Sequence, residues 1–280
     1  MKILILGSSG FLGSYLFKHL KNCGHRVSSI KRDLWVEESG AFKNNLMLDS
    51  IFSKNDIVIN CIAETDFNKC DSFLGLEANV GIPEKIAYFI SKHNIYCIHI
   101  STDAVYDSKG NNSDEDSSLR INNSYATQKR KAEIVLQQTN SLILRTSFLG
   151  KNPREIGMID YLIDCIKKQK IIYGWNDVYT SSVHISDISS VIDILIENPI
   201  TGLFNYGTSK PYSKFDLLNR IMEKLDYQII VSSIKAPLDH KSRNLNCGML
   251  SKKIKERLAL KLPTFDTVVE NCLNDIKINL

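Results

Sequence analysis

The sequence has no apolar run approaching the roughly 20 residues of a membrane span, and the apolar start Met1 to Leu6 is cut off by Gly7. That start is too short for a secretory segment, so it is expected to be a first β-strand, with no membrane partner. Proline is scarce, 6 residues, and the 14 glycines form no low-complexity tract, which excludes disordered and fibrous classes. No charge sign dominates: 35 Lys+Arg face 31 Asp+Glu for a net +4. The basic residues are spread along the chain, so nucleic acid is not an expected partner. The seven cysteines, at 23, 61, 70, 97, 165, 247 and 272, form no CxxC pair. Reduced thiols in a cytoplasmic protein are expected, with no metal site.

What is present is ordinary globular composition, 43% hydrophobic and 24% charged over 280 residues, enough for one large domain or two modest ones. Short β-branched runs at 3–6, 26–30, 57–61, 96–101 and 142–145 alternate with helical periods over 11–22, 71–92 and 124–138. Such alternation predicts α/β architecture: a Rossmann-type doubly wound parallel sheet over 1–150. Beyond Gly150 strands become sparse (171–173, 203–206, 229–234) and helical stretches dominate (155–169, 186–197, 213–225, 265–275). We expect a smaller mixed α/β C-terminal substrate-binding region over 151–280, with about 186–206 returning to the sheet.

The run Gly7-Ser8-Ser9-Gly10-Phe11-Leu12-Gly13 links the first strand to the first helix. Glycines there permit a sharp turn and close approach of a pyrophosphate, whose charge meets the free N–H groups and positive end of the helix. Gly7, Ser9, Gly10, Phe11, Leu12 and Gly13 are therefore the expected dinucleotide contacts. The second strand runs into Lys31-Arg32, cations that suit a 2′-phosphate and predict NADPH, while Asp33 keeps NADH open.

Tyr125 and Lys129 stand four residues apart on a predicted helix, so they share a face. A phenol near pKa 10 is a poor acid at neutral pH, and an adjacent ammonium lowers that value. The strand ending Ile100-Ser101-Thr102-Asp103 brings hydroxyls to the carboxyl edge of the sheet, where Thr102 could hold a substrate carbonyl.

Glycine loop, strand-end Ser-Thr and Y-x-x-x-K, in this order, resemble the extended short-chain dehydrogenase/reductase superfamily, within it the dTDP-4-dehydrorhamnose reductase family. The similarity extends through Asp56 to Ala63, Glu77 to Val80, Ser101 to Asp107 and Leu144 to Ser147. It implies a catalytic Thr102, Tyr125 and Lys129, loop glycines at 7, 10 and 13, Ala63 lining the cofactor and Asp49 approaching the adenine. It also implies that Tyr125 and Lys129 contact the cofactor, that Thr102 and Asp103 meet substrate, and that Arg243 holds a nucleotide diphosphate. The implied activity is NAD(P)H-dependent reduction of a nucleotide-linked 4-keto-6-deoxy sugar in deoxysugar and cell-surface polysaccharide biosynthesis. An epimerase with tightly bound NAD and a non-catalytic regulatory subunit are the alternatives, and a homodimer is the assembly to test. Elsewhere His184 reads as a capping or core histidine, Ser186 as an N-cap, and the run from Lys252 to Arg257 as the solvated face of a helix.

Overall fold

The structure is a computed structural model and describes residues 1–30, 45–107, 111–237 and 244–280. Lys31, Arg32 and Arg243 lie outside the described residues. In chain order the elements are β1 (Lys2–Leu6), α1 (Phe11–Asn22), β2 (Arg26–Ser29), α2 (Asn45–Phe52), β3 (Ile57–Asn60), α3 (Phe67–Cys70) and α4 (Phe73–Leu76). A π-helical turn (Glu77–Gly81), α5 (Ile82–His93), β4 (Tyr96–Thr102), a 3-10 turn (Asp103–Val105), α6 (Ser124–Leu136) and β5 (Ser141–Thr146) follow. Next are β6 (Phe148–Leu149), α7 (Met158–Lys167), β7 (Ile172–Trp175), β8 (Tyr179–Thr180), β9 (Val183–His184) and α8 (Ile185–Glu197). The chain ends with β10 (Gly202–Tyr206), β11 (Tyr212–Ser213), α9 (Lys214–Leu225), β12 (Val231–Ile234), β13 (Asn246–Cys247), α10 (Lys252–Leu258) and α11 (Phe265–Asn279). Two compact units interleave along it: Met1–Thr102, Asn123–Arg145 and Ser189–Leu203 form one, and Asp103–Asn122, Thr146–Ile188 and Phe204–Leu280 the other.

The first unit is built on a six-stranded sheet of order β2-β1-β3-β4-β5-β10. Its pairs β1 with β2, β1 with β3, and β3 with β4 are parallel. All five strands expected for this region form. β3 and β4 are buried along their whole length, as central parallel strands covered on both faces must be, which is why they read as unbroken apolar runs. Strand order reverses between β1 and β3, so right-handed crossovers place α1 on one face and α2, α5 and α6 on the other. On the latter face Leu4, Leu6, Val58, Cys97 and Ile143 pack against Leu48, Phe52, Ile86, Ile90 and Leu136. The Phe52 and Phe89 rings stack with centroids 4.8 Å apart.

The helix expected over 71–92 forms in pieces. Ser72 caps a new start by accepting from the Gly75 N–H at 3.1 Å, and a Cβ on Gly75 would lie 2.2 Å from the Lys69 carbonyl oxygen. Pro83, with no N–H to offer the turn behind it, follows the π-helical turn.

In the second unit α7, α9 and α11 enclose a core at helical spacing: Ile159, Leu162, Ile163 and Ile166, then Leu217, Leu218 and Ile221, then Val269, Cys272, Leu273 and Ile276. Small sheets β11-β8-β13, β12-β7 and β6-β9 accompany them. His184 is a core histidine, 3% exposed, between Ser186 Oγ at 2.7 Å and Asp275 Oδ2 at 3.1 Å. Ser186 is not the N-cap expected of it. α8 already begins at Ile185, and the carboxylate of Asp187 accepts the His184 N–H. The basic run lies on α10, with Ile254 buried and its lysines exposed. All seven cysteines are free thiols. Among the described residues no helix is long and apolar enough to cross a membrane.

Candidate active site

The three loop glycines have three different reasons to be glycine. Gly7 sits at φ +82°, and a Cβ there would press to 3.0 Å on the backbone of Cys61 and Ile62 just past β3. Gly10 closes the turn by donating to the Gly7 carbonyl at 2.9 Å and stands at the N-cap of α1. Gly13 allows helix and loop to touch, since its Cβ would lie 2.2 Å from the Gly7 oxygen. No side chain caps α1 and its own first turn holds no acidic residue, which leaves its positive end fit for a pyrophosphate.

Ser9 is exposed, Phe11 half-buried and Leu12 buried. Leu12 thus has its side chain in the core and only its backbone to offer a ligand. Ala63 is exposed beyond β3. Loop and Ala63 therefore belong to neighbouring strand ends at the reversal of strand order, where open α/β sheets bind ligands. Asp49 lies on α2. Its carboxylate accepts from Lys92 Nζ and His93 Nε2, each at 2.7 Å, at the far end of α5. Those two bonds, Lys92 first, hold its pKa below the ordinary carboxylate value.

Thr102, Tyr125 and Lys129 all belong to the first unit, on β4 and α6. Asn123 starts α6 by accepting the Ala126 N–H at 2.8 Å. Within that first turn, the half-buried Tyr125 ring packs edge-on against Phe67, centroids 5.9 Å apart at 83°. Thr102 ends β4 and is 6% exposed. Lys129 is 1% exposed, and its Nζ donates to the Ile100 carbonyl at 2.7 Å, two residues before Thr102. Burial lowers its pKa to about 8, against the opposing pull of Glu133 and Cys61. In the second unit Asp103 opens the 3-10 turn and accepts from Thr180 Oγ1 at 3.4 Å. Asn244, the first described residue after Arg243, donates to the carbonyls of Ala104 at 2.7 Å and Tyr106 at 2.8 Å.

Several residues that support this site escaped sequence reasoning. Glu133 is fully buried and receives Arg145 through Nε at 2.8 Å and Nη2 at 2.7 Å, Ser101 Oγ at 2.6 Å and Arg130 at 3.0 Å. Burial raises its pKa, but the Arg145 bonds and charge outweigh that, so it stays below the usual carboxylate value. Asn79 clamps the loop after β3, accepting the Glu64 N–H at 2.9 Å and donating to the Glu64 carbonyl at 3.0 Å. It also donates to Gln128 at 2.8 Å, and Gln128 donates to the Cys70 carbonyl at 2.8 Å. That chain of amides ties the Tyr125 helix to the loop carrying Ala63. The available signal was polarity inside apolar runs, as at His99 in Ile98-His99-Ile100 and Arg145 in Leu144-Arg145-Thr146.

The chain is 24% identical over 248 residues to the spore coat polysaccharide biosynthesis protein SpsK of Bacillus subtilis (strain 168), covering 83% of this chain and 82% of that one. It is 23% identical over 260 residues to the probable low-salt glycan biosynthesis reductase Agl14 of Haloferax volcanii, covering 85% and 86%. A dTDP-4-dehydrorhamnose reductase from Bacillus anthracis, solved in complex with NADP, shares the fold with a TM-score of 0.83 at 18% identity, over 100% of this chain and 99% of that one. Residues 1–278 match the RmlD substrate binding domain, and the chain belongs to that family.

Proposed function

We propose that this protein is an NADPH-dependent reductase of the keto group of a nucleotide-linked 4-keto-6-deoxy sugar, serving deoxysugar and cell-surface polysaccharide biosynthesis. The observation that carries the reading is one unit holding the glycine loop, Thr102 at a strand end, and Tyr125 and Lys129 on one helix face. Relatives named for polysaccharide and glycan biosynthesis, one of them as a reductase, support it, as does a structural neighbour in complex with NADP.

In this reading the first unit takes the cofactor through Gly7, Ser9, Gly10, Phe11, Leu12, Gly13 and Ala63, with Lys31 and Arg32 selecting the 2′-phosphate of NADPH over NADH. The second takes the nucleotide sugar, with Asp103 and Arg243 as contacts. When bound, the reduced nicotinamide supplies the hydride that reaches the ketone carbon. Thr102 donates to the carbonyl oxygen and orients it. Tyr125 gives that oxygen its phenolic proton, and Lys129 steadies the phenolate left behind and holds the cofactor ribose. Free thiols support placing the protein in the cytoplasm. Exposed Phe73, Leu74, Leu76, Tyr88 and Ile134 on α4, α5 and α6 support a homodimer.

The test is NADPH oxidation with a panel of nucleotide 4-keto sugars. Wild type should turn over. Tyr125→Phe should lose about 10²- to 10⁴-fold in rate with unchanged NADPH affinity. No oxidation by wild type overturns the reading: copurified NAD then marks an epimerase, and tight binding to a partner protein marks a regulatory subunit.

A further inference from the structure

His99 is a fully buried histidine on β4 for which the mechanism above has no use. Its tautomer is set by a neighbour. The Asn60 side chain accepts the Ile62 N–H through Oδ1 at 3.0 Å, which turns its Nδ2 donor toward Nδ1 of His99, also at 3.0 Å. A donor facing Nδ1 requires a lone pair there, so the proton of a neutral imidazole sits on Nε2. Burial, together with the charge of Lys129, keeps His99 neutral by pushing its pKa well below the ordinary histidine value.

Nε2 lies 3.2 Å from Nζ of Lys129. An ammonium has three donors and no acceptor, so an N–H aimed at it makes no bond. An amine accepts that N–H with its lone pair while still donating to the Ile100 carbonyl. We infer that His99 is a positioning residue for Lys129: with its tautomer fixed by Asn60, it offers an N–H to Nζ and matches the amine form of Lys129. The inference rests on reading Lys129 as the partner of Tyr125. After Tyr125 has given its proton to the substrate oxygen, the phenolate takes a proton from the Lys129 ammonium. The resulting amine accepts the His99 N–H until water restores the proton, so His99 lowers the cost of the intermediate state.

Besides Tyr125, the other ionisable groups among the described residues that act on Lys129 are Glu133 on its own helix and the Cys61 thiol past β3. Glu133 is already engaged by Arg145 of β5 and by Arg130. Cys61 is pushed up to about 12, chiefly by burial, and Cys97 adds to the rise. The Glu133 carboxylate supplies no donor to an amine, and the protonated Cys61 thiol is only a weak one.

The test needs no substrate, so its failure is separable from failure of the proposed activity. In protein carrying ¹⁵N-histidine, His99, assigned by its loss in His99→Gln, should be the neutral Nε2–H tautomer from about pH 6 to pH 9. In protein carrying ¹³C-lysine, the Lys129 Cε resonance, assigned by its loss in Lys129→Met, should titrate in wild type with a midpoint near 8. His99→Gln can turn an amide oxygen to Nζ, and the midpoint should then rise by about one unit, tenfold in the proton equilibrium. An Nδ1–H tautomer, an imidazolium at neutral pH, or a midpoint that stays or falls in His99→Gln overturns the inference. The tautomer measurement on wild type decides alone if His99→Gln does not fold.

Discussion

Lys129 carries a charge into the interior of the first unit, and pH exposes its cost. Lys129 is held at about 8 in the folded chain by burial, below the ordinary 10.5. Between those values the unfolded chain binds more protons than the folded one, so this group makes stability rise with pH across that window; below about pH 8 both forms are charged and the full penalty of burial is present. With about 1.4 kcal/mol per unit, the gain from pH 7 to pH 9.5 is about 2 kcal/mol. Lys129→Met removes the charge and keeps much of the length. The unfolding free energy of wild type relative to this variant is therefore expected to climb by that amount between paired urea titrations at the two pH values. A difference that stays level with pH would show that the folded lysine titrates normally. If the ammonium holds the ribose as proposed, the variant should also bind NADPH more weakly.

At the level of elements, the loop and α1 act as one part because Gly13 lets them touch. Gly13→Ala puts a methyl group 2.2 Å from the Gly7 oxygen. The loop must then leave its position, at about 1 to 3 kcal/mol of stability and at least about tenfold in NADPH affinity, one lost hydrogen bond to a charged group being enough for that. Gly24→Ala is the control. Its φ of +86° strains an alanine, but no atom of the described residues lies within 4 Å, so it should lower Tm without touching affinity. Isothermal titration of both variants with NADPH checks the pair, and equal losses of affinity would reject the role given to Gly13. The elements themselves were legible because β-branched runs and helical periods reflect burial, as in Ile57 to Asn60 and Phe11 to Leu20. So was the candidate set of Gly7, Gly10, Gly13, Thr102, Tyr125 and Lys129, since a motif travels along the chain. The buried face of α6 was not: Gln128, Lys129 and Glu133 are polar, and hydrophobic periodicity assigns such residues to solvent. Their partners Asn79, Ile100 and Arg145 come from other elements, and pairing across such distances leaves no trace in local spacing. Asp49 shows the same limit: its partners Lys92 and His93 stand more than forty positions on, where local spacing does not reveal them.

For the whole molecule, cofactor choice is the property most open to charge. If Lys31 and Arg32 hold the 2′-phosphate, replacing both with serine should weaken NADPH by at least about tenfold, as loss of a charge-assisted bond does, and leave NADH unchanged. Fluorescence titration with the two dinucleotides measures the ratio. An NADPH preference that survives the double substitution, or a wild type that prefers NADH, would transfer selectivity to other residues. The interleaving of the two units sets a further condition, one on how such proteins can be rebuilt. The chain passes from one unit to the other after residues 102, 122, 145, 188 and 203. A splice at Gly150 would therefore carry off Ser189–Leu203, most of α8 and the first residues of β10, leaving the β5 edge of the sheet without its neighbour. Unpaired edges of that kind recruit other chains. If the second unit carries substrate preference as proposed, that preference cannot be exchanged as a cassette at one crossover point: a chimera has to transplant three separate segments together, and libraries recombined at a single site will mostly return insoluble protein.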